Sequence, residues 1–248
     1  MKKLFIFVLI ILIGGFVYSE TLESILNKNY ETRGGLEKLK SIKTMYSEGK
    51  MVNSQQNAEI SMKMWFKVPN KFRTAVNFMG KKIVQAYDGE KAWWIMSFIS
   101  PKPQLMPEKQ AKDLKDMQSS FLPLVDYKKE GNKLELVGKT DVDGTEAYKL
   151  KMTKKDGKVI YFYLDADSGI ELKTEMFINR GGEELKVETI FSDYKQVDGI
   201  YFPFYIETKS AGMNSGKITL TKIELNKQMN DSLFTMPEEP KETTKIKK

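Results

Sequence analysis

The feature of this sequence that most restricts its fold is a repeated alternation of apolar and polar residues in short segments. Residues 60–66 and 72–78 both show it, and turn sequences such as Asp88-Gly89 separate one segment from the next. Side chains on a β-strand point alternately to the two faces of a sheet, so this period of two predicts strands, and the tight turns predict antiparallel pairing. Five such segments precede residue 99, and seven more lie between residues 133 and 225. We therefore expect a mainly β chain with about 11–12 strands in one large antiparallel sheet.

The twist of a sheet of that size and the unpaired backbone groups of its two edge strands restrict its shape. Long antiparallel sheets curl, which predicts a partial, unclosed barrel with a concave side that needs covering. The chain offers two helical regions for this purpose, residues 20–42 and 107–126, and neither is long. Residues 100–103 (SPKP) are predicted to end the first run of strands, because proline cannot donate a ladder hydrogen bond. We expect the helices to cover the sheet as a lid and to fill its concave side incompletely.

Strand parity predicts which side chains form the wall of this hollow. Trp94 belongs to the inner row, whereas Trp93 and Ile95 point outward, against a neighbouring hairpin or the N-terminal helix. The predicted wall is apolar and rich in methionine, a residue that suits surfaces with varied apolar partners. Its members are Ile60, Met62, Met64, Phe66, Phe72, Val76, Phe78, Val84, Trp94, Met96 and Phe98. The alternative is that these residues form an ordinary core packed against the helices.

The first 19 residues have the pattern of a secretory signal peptide. Lys2 and Lys3 precede an apolar run that is too short to span a bilayer, and residues 17–19 (VYS) fit a cleavage site before Glu20. The alternative is an uncleaved anchor helix. We expect an exported protein that is soluble after cleavage, with a single domain at residues 20–237 and a flexible basic tail at residues 238–248.

The composition argues against catalysis and against nucleic-acid binding. The chain has no His and no Cys, which removes the commonest general base, the thiolate nucleophile and the usual transition-metal ligands. Residues 165–169 (DADSG) fit a β-turn better than a calcium loop, because they lack the bidentate Glu. The formal net charge is +7, but only three of the 40 cationic residues are arginine, the residue that nucleic-acid readers favour. We expect no enzyme activity, no metal, no cofactor and no nucleic-acid partner.

Several motifs, taken in order, resemble the periplasmic carriers that sort outer-membrane lipoproteins, the LolA-like superfamily. Residues 64–73 (MWFKVPNKFR) are similar to the strand pair of that family, and residues 87–94 (YDGEKAWW) to its hairpin. Residues 193–203 and 226–237 resemble its later segments. The resemblance extends over nearly all of the chain after residue 19.

The resemblance implies an unclosed antiparallel β-barrel with a helical lid, a hydrophobic cavity and a periplasmic location. Its ligands would be the acyl chains of a lipoprotein or a lipid, passed on to a membrane receptor or transporter for transport toward the outer membrane. The family's lid-closing arginine does not carry over, because Val68 occupies that position. Residues 101–126 would form the lid, with these side chains turned inward: Met106, Leu114, Met117, Phe121, Leu122, Leu124 and Val125.

Two other functions remain open from the sequence. Some members of the superfamily sense envelope stress as regulators of an anti-sigma factor, so the chain would then be a binding module that acts through a membrane partner. The third reading is a fully packed structural protein without a cavity.

Overall fold

A computed structural model describes residues 20–52, 59–118, 122–180 and 182–238 of the chain. The predicted signal peptide and most of the predicted tail lie outside these residues. These residues form four α-helices: α1 Leu22–Thr32, α2 Leu36–Ser41, α3 Glu108–Gln118 and α4 Pro123–Asp126. A 3₁₀ turn covers Asp231–Leu233. The strands are β1 Thr44–Val52, β2 Glu59–Lys67, β3 Lys71–Phe78, β4 Lys81–Tyr87, β5 Ala92–Met96, β6 Ser100–Leu105, β7 Lys133–Val142, β8 Thr145–Thr153, β9 Val159–Asp165, β10 Glu171–Arg180, β11 Glu183–Val197, β12 Ile200–Ser210 and β13 Met213–Leu225.

All thirteen strands belong to one antiparallel sheet, in the order β6-β5-β4-β3-β2-β1-β13-β12-β11-β10-β9-β8-β7. Neighbouring strands are consecutive along the chain, except where β1 pairs with β13 in the middle of the sheet. Within the described residues β6 and β7 are the two edges, so the sheet is not closed into a barrel. This confirms the predicted mainly β fold with an open antiparallel sheet and few helices.

The strand that the sequence did not predict is β6. Residues 100–103 were expected to break the ladder, and that expectation was wrong. Gln104 pairs with Trp94, and the N–H of Met106, just past the strand end, donates to the carbonyl of Ala92. Pro101 and Pro103 have the opposite parity, so their missing N–H groups face the side of β6 that has no neighbouring strand. Proline is therefore tolerated here because β6 is an edge strand.

Helices α1 and α2 cover the half of the concave face that is formed by β7 to β13. Thr21 and Ser24 form the capping box that starts α1. Ile25 and Leu39 from the two helices are buried in one large cluster with side chains of β8, β9 and β12, such as Leu150 and Phe162. Apolar burial of this extent is the main source of stability that fixes the helices on the sheet.

Helix α3 covers a second, smaller region at the other end of the sheet. Leu114, together with Met106 just before the helix, packs against Phe66, Phe72 and Tyr87 of β2, β3 and β4. The segment between β6 and β7 therefore contributes Met106 and Leu114, two of the predicted lid residues, to the packing over the concave face.

The outer face of β1 to β5 is covered by the C-terminal segment, residues 226–237, which we call the strap. Asn226 begins it with a backbone bond to Thr44. Lys67 and Lys71 both contact Asp231. Trp93 is fully buried on this face, with Val84, Ala86 and Ile95 around it and the side chain of Met236 from the strap above. Trp93 thus points outward as predicted, but its cover is the strap, which sequence reasoning did not anticipate.

In the described part of the chain, none of the helices combines the length and the apolar character required to cross a bilayer.

Candidate functional site

A cavity of about 410 Å³ lies on the concave side of the sheet, in the half formed by β1, β2 and β8 to β13. Pro123 and Asn132, in the last part of the segment between β6 and β7, line the border of the cavity. Most of the lining is apolar and includes four methionines. Representative lining residues are Met45, Met64, Phe162, Met176, Phe191 and Ile206. The volume falls within the range of about 300–1,000 Å³ that is typical of small-molecule sites.

The apolar lining is interrupted by a polar corner of three residues. The Arg33 guanidinium, whose side chain is 9% exposed, lies 3.7 Å from a carboxylate oxygen of Glu171, which is 13% exposed. The Tyr194 hydroxyl donates a 2.7 Å hydrogen bond to the backbone carbonyl of Glu171. Burial raises the pKa of the Glu171 carboxyl group, and the nearby Arg33 charge opposes that shift. Burial also raises the pKa of Tyr194. The corner therefore holds one permanent positive charge beside a carboxyl group that burial disposes to be neutral.

Arg33 is held in place by the way α1 ends. It is the C-cap of the helix, and its carbonyl accepts a backbone hydrogen bond from Tyr201 at the start of β12. The following residue, Gly34, has φ +113, and a Cβ there would overlap the carbonyl oxygen of Gly199. Only glycine allows such a close approach to the β11–β12 turn, so Gly34 fixes the helix end, and with it Arg33, against the sheet.

A family model described as "uncharacterized protein" matches residues 105–238, more than half of the chain. The chain belongs to this family. No curated protein matches the chain in sequence.

Solved structures define the fold of this family member. An outer membrane lipoprotein-sorting protein domain from Vibrio parahaemolyticus matches with a TM-score of 0.58 at 14% identity, over 85% of this chain and 94% of its own. A DUF1329 family protein from Desulfovibrio piger matches with a TM-score of 0.58 at 16% identity, over 85% and 97%. A LolA superfamily protein from Nitrosomonas europaea matches with a TM-score of 0.57 at 16% identity, over 88% and 98%. Identities this low show a shared fold, and that fold is LolA-like, as the motifs indicated.

Most of the predicted wall lies on the concave face but outside the cavity. Met64 lines the cavity. Phe66 and Phe72 are buried under α3, and Trp94 packs against the same cluster. The strand pairings place the other concave members of the predicted set in the same row, buried or half-buried: Ile60, Met62, Val76, Phe78 and Met96.

Two residues of the predicted wall are not in the inner row of the strands. Val84 pairs with Ala75 and Ile95 and is buried with Trp93 on the opposite face, so its assignment to the inner row was wrong. Phe98 lies in the turn after β5 and is 54% exposed, and its ring is tilted against that of Phe78, with the ring centroids 6.2 Å apart. The alternation of inward and outward side chains cannot be counted through a turn, because the turn decides which residues of the next strand face inward.

The predicted lid residues divide between the two covered regions. Met106 and Leu114 are buried under α3 as described above. Leu122 and Leu124 are buried in the large cluster beneath α1, and Val125 packs against it. Phe121 and the side chain of Met117 lie outside the described residues.

The sequence analysis predicted the later strands but did not assign them to the wall of the cavity, although they supply most of its lining. Residues 160 and 162 on β9, 174 and 176 on β10, and 202 and 206 on β12 all line the cavity. A signal for them was present, because these positions show the same period of two as the predicted wall. What the sequence did not reveal is that α3 covers the earlier strands and leaves the later ones partly uncovered.

Proposed function

We propose that the protein binds the acyl chain of a lipid or a lipoprotein in this cavity and shields it from water during transport through the periplasm toward the outer membrane. The observation that carries the proposal is the apolar, methionine-rich cavity on the concave face of a LolA-like sheet. Cargo would pass to a membrane receptor or transporter. The signal-peptide pattern of residues 1–19 supports the periplasmic location.

The energetics of the cavity suit an acyl chain. Each methylene group that moves from water into an apolar site contributes about 0.8 kcal/mol. A chain of about ten buried methylenes would therefore gain roughly 8 kcal/mol before the costs of association are subtracted. The flexible thioethers of Met64, Met152 and Met176 can adapt to chains of different shape. Binding of this kind needs shape and apolar area and does not require a catalytic group.

The test measures how tightly a fluorescent fatty-acid probe binds to variants in the cavity and to a variant in the cluster under α3. Met176→Glu and Met64→Glu place a charge in the cavity and are expected to weaken probe binding at least about tenfold, because an unpaired buried charge is costly. Trp94→Ala is the matched control. It alters an aromatic residue of the same concave face that lies with the α3 cluster, and it should leave the affinity within about twofold of wild type.

Circular dichroism of each variant checks that the fold is retained. Equal binding by wild type and both glutamate variants would contradict the cavity as the binding site. Loss of binding in Trp94→Ala alone would place the ligand under α3 instead. Native mass spectrometry of protein purified from its own host gives an independent answer, since a co-purified lipid mass supports the proposal and a mass of the chain alone opposes it.

A further inference from the structure

The Arg33 side chain has more hydrogen-bonding capacity than its surroundings use. A guanidinium carries five N–H donors. The Nε of Arg33 is buried and has no hydrogen-bond partner, and the Nη1–Oε2 distance to Glu171, 3.7 Å, is longer than a hydrogen bond. Buried donors without partners are rare because each one costs free energy. Arg33 therefore brings a buried positive charge and an unpaired N–H donor to the lining of an apolar cavity. This combination is suited to binding an oxyanion.

We propose that the cavity selects anionic amphiphiles, with the apolar tail along the methionine-lined wall and a carboxylate or phosphate headgroup bonded to Arg33. This rests on the proposed function, because it assumes that an acyl chain enters the cavity. Guanidinium groups bind carboxylate and phosphate oxygens through paired, charge-assisted hydrogen bonds. The two oxyanions share this chemistry, so a free fatty acid and a monoacyl phosphate are both candidates.

The other charged residues that line the cavity do not offer the same opportunity. Lys154 and Glu130 lie at the border near Asn132 and already have interaction partners within the chain. Glu171 is the nearest counter-charge to Arg33. An incoming oxyanion would replace it, and the Glu171 carboxyl group can accept this more readily because burial favours its neutral form.

The position of Glu171 does not depend on its ion pair. Its backbone pairs with Leu164 of β9 and accepts the Tyr194 hydroxyl hydrogen bond. Loss of the Arg33 contact therefore leaves the strand in place, and Arg33 would exchange the Glu171 carboxylate at 3.7 Å for a closer oxyanion of the headgroup.

The experiment compares three ligands that share one saturated tail: a fatty acid, a monoacyl phosphate and the fatty alcohol. We expect wild type to bind at least one of the anions about tenfold or more tightly than the alcohol. Whichever anion binds more tightly identifies the source of the headgroup. Arg33→Gln should abolish this preference and leave the affinity for the alcohol unchanged. Arg33→Lys should restore part of it, since the charge is kept but the paired geometry is lost.

Glu171→Gln is the second variant, and it keeps the inference testable if Arg33→Gln does not fold. Removal of the competing carboxylate should retain or increase the preference for anions. Equal wild-type affinity for the alcohol and both anions would overturn the inference while leaving the proposed function intact. An equal loss for all three ligands in Arg33→Gln would also overturn it, because Arg33 would then have a structural role. Failure of wild type to bind any of the three would instead count against the proposed function.

Discussion

The indole N–H of Trp93 donates a 2.6 Å hydrogen bond to the backbone carbonyl of Phe234, 141 residues further along the chain. Both residues are fully buried, so the bond attaches the strap to the outer face of the sheet inside an apolar environment. The Arg73 guanidinium, which lies over the Trp93 ring, adds a second attachment through its hydrogen bond to the Leu233 carbonyl.

Trp93→Phe should therefore destabilise the protein. The change leaves the Phe234 carbonyl buried without its donor, which costs about 1–3 kcal/mol of unfolding free energy. Urea unfolding measures it, with Trp94→Phe as the matched control. Trp94 lies on the other face and is only half-buried, so its substitution should cost less. An equal loss for both variants would contradict the role assigned to the strap.

Gly34→Ala should destabilise the protein by about 3 kcal/mol or more, because a strained φ costs about 1–3 kcal/mol and the new Cβ would also overlap the Gly199 carbonyl oxygen. Gly144→Ala is the control. Gly144 has φ +86 but nothing within 4 Å of an added Cβ, so only the backbone strain of about 1–2 kcal/mol applies. The midpoint temperatures of thermal unfolding of the two variants should differ by several degrees. Similar midpoints would show that α1 is not tightly fixed at the β11–β12 turn.

Tyr30 makes stability sensitive to alkaline pH. Its buried hydroxyl donates a 2.7 Å hydrogen bond to the Leu124 carbonyl, joining α1 to α4. Burial, with smaller contributions from Tyr127 and Asp126, raises its pKa from 10.0 to about 12. Between these values the unfolded chain loses the phenolic proton and the folded chain keeps it. The free energy of unfolding therefore falls as pH rises through this window.

Tyr30→Phe removes the contribution of this residue to the pH dependence. Below pH 10 the variant should be less stable than wild type by about 1 kcal/mol, the value of one lost hydrogen bond. The difference should shrink as the pH rises above 10, because the variant lacks the penalty that arises at Tyr30, whereas other buried tyrosines such as Tyr194 affect both proteins alike. Urea unfolding at successive pH values measures it, and Tyr201→Phe, at a more exposed position, is the control. A constant difference across the range would contradict the shifted pKa.

The cavity can be filled without introducing charge. Thr174 lines it on β10, and Thr174→Trp should occupy much of its volume. We expect the affinity for a fluorescent fatty acid to fall at least about tenfold while unfolding free energy changes by less than about 1.5 kcal/mol, since the added volume enters existing space. Thr219→Trp, at an exposed position of β13, controls for tryptophan on a strand. Retained binding in Thr174→Trp would place the ligand elsewhere.

The strands were predictable because their signal is local. Alternation and turn residues are properties of consecutive positions, and twelve of the thirteen strands follow from them. The missing one, β6, was hidden by Pro101 and Pro103, whose tolerance depends on the absence of a neighbour on one side. Edge position is a property of the assembled sheet, and no local pattern contains it.

The site was less predictable because it depends on where covering segments come to rest. Phe66 and Met64 belong to the same apolar row, but α3 covers Phe66 while Met64 borders the cavity. Arg33 gave no signal as a cavity residue, since nothing in its sequence neighbourhood indicates Glu171 as its partner. That contact joins positions far apart in the chain and arises only when α1 packs on the sheet.

The two free edges of the sheet are formed by strands that are consecutive in the chain. The segment that joins them, residues 106–132, contributes Met106 and Leu114 to the cluster under α3, and Leu122 and Leu124 to the cluster beneath α1. One connection therefore supplies apolar side chains to both covered regions of the concave face, so the packing of the two regions is linked through a single stretch of backbone.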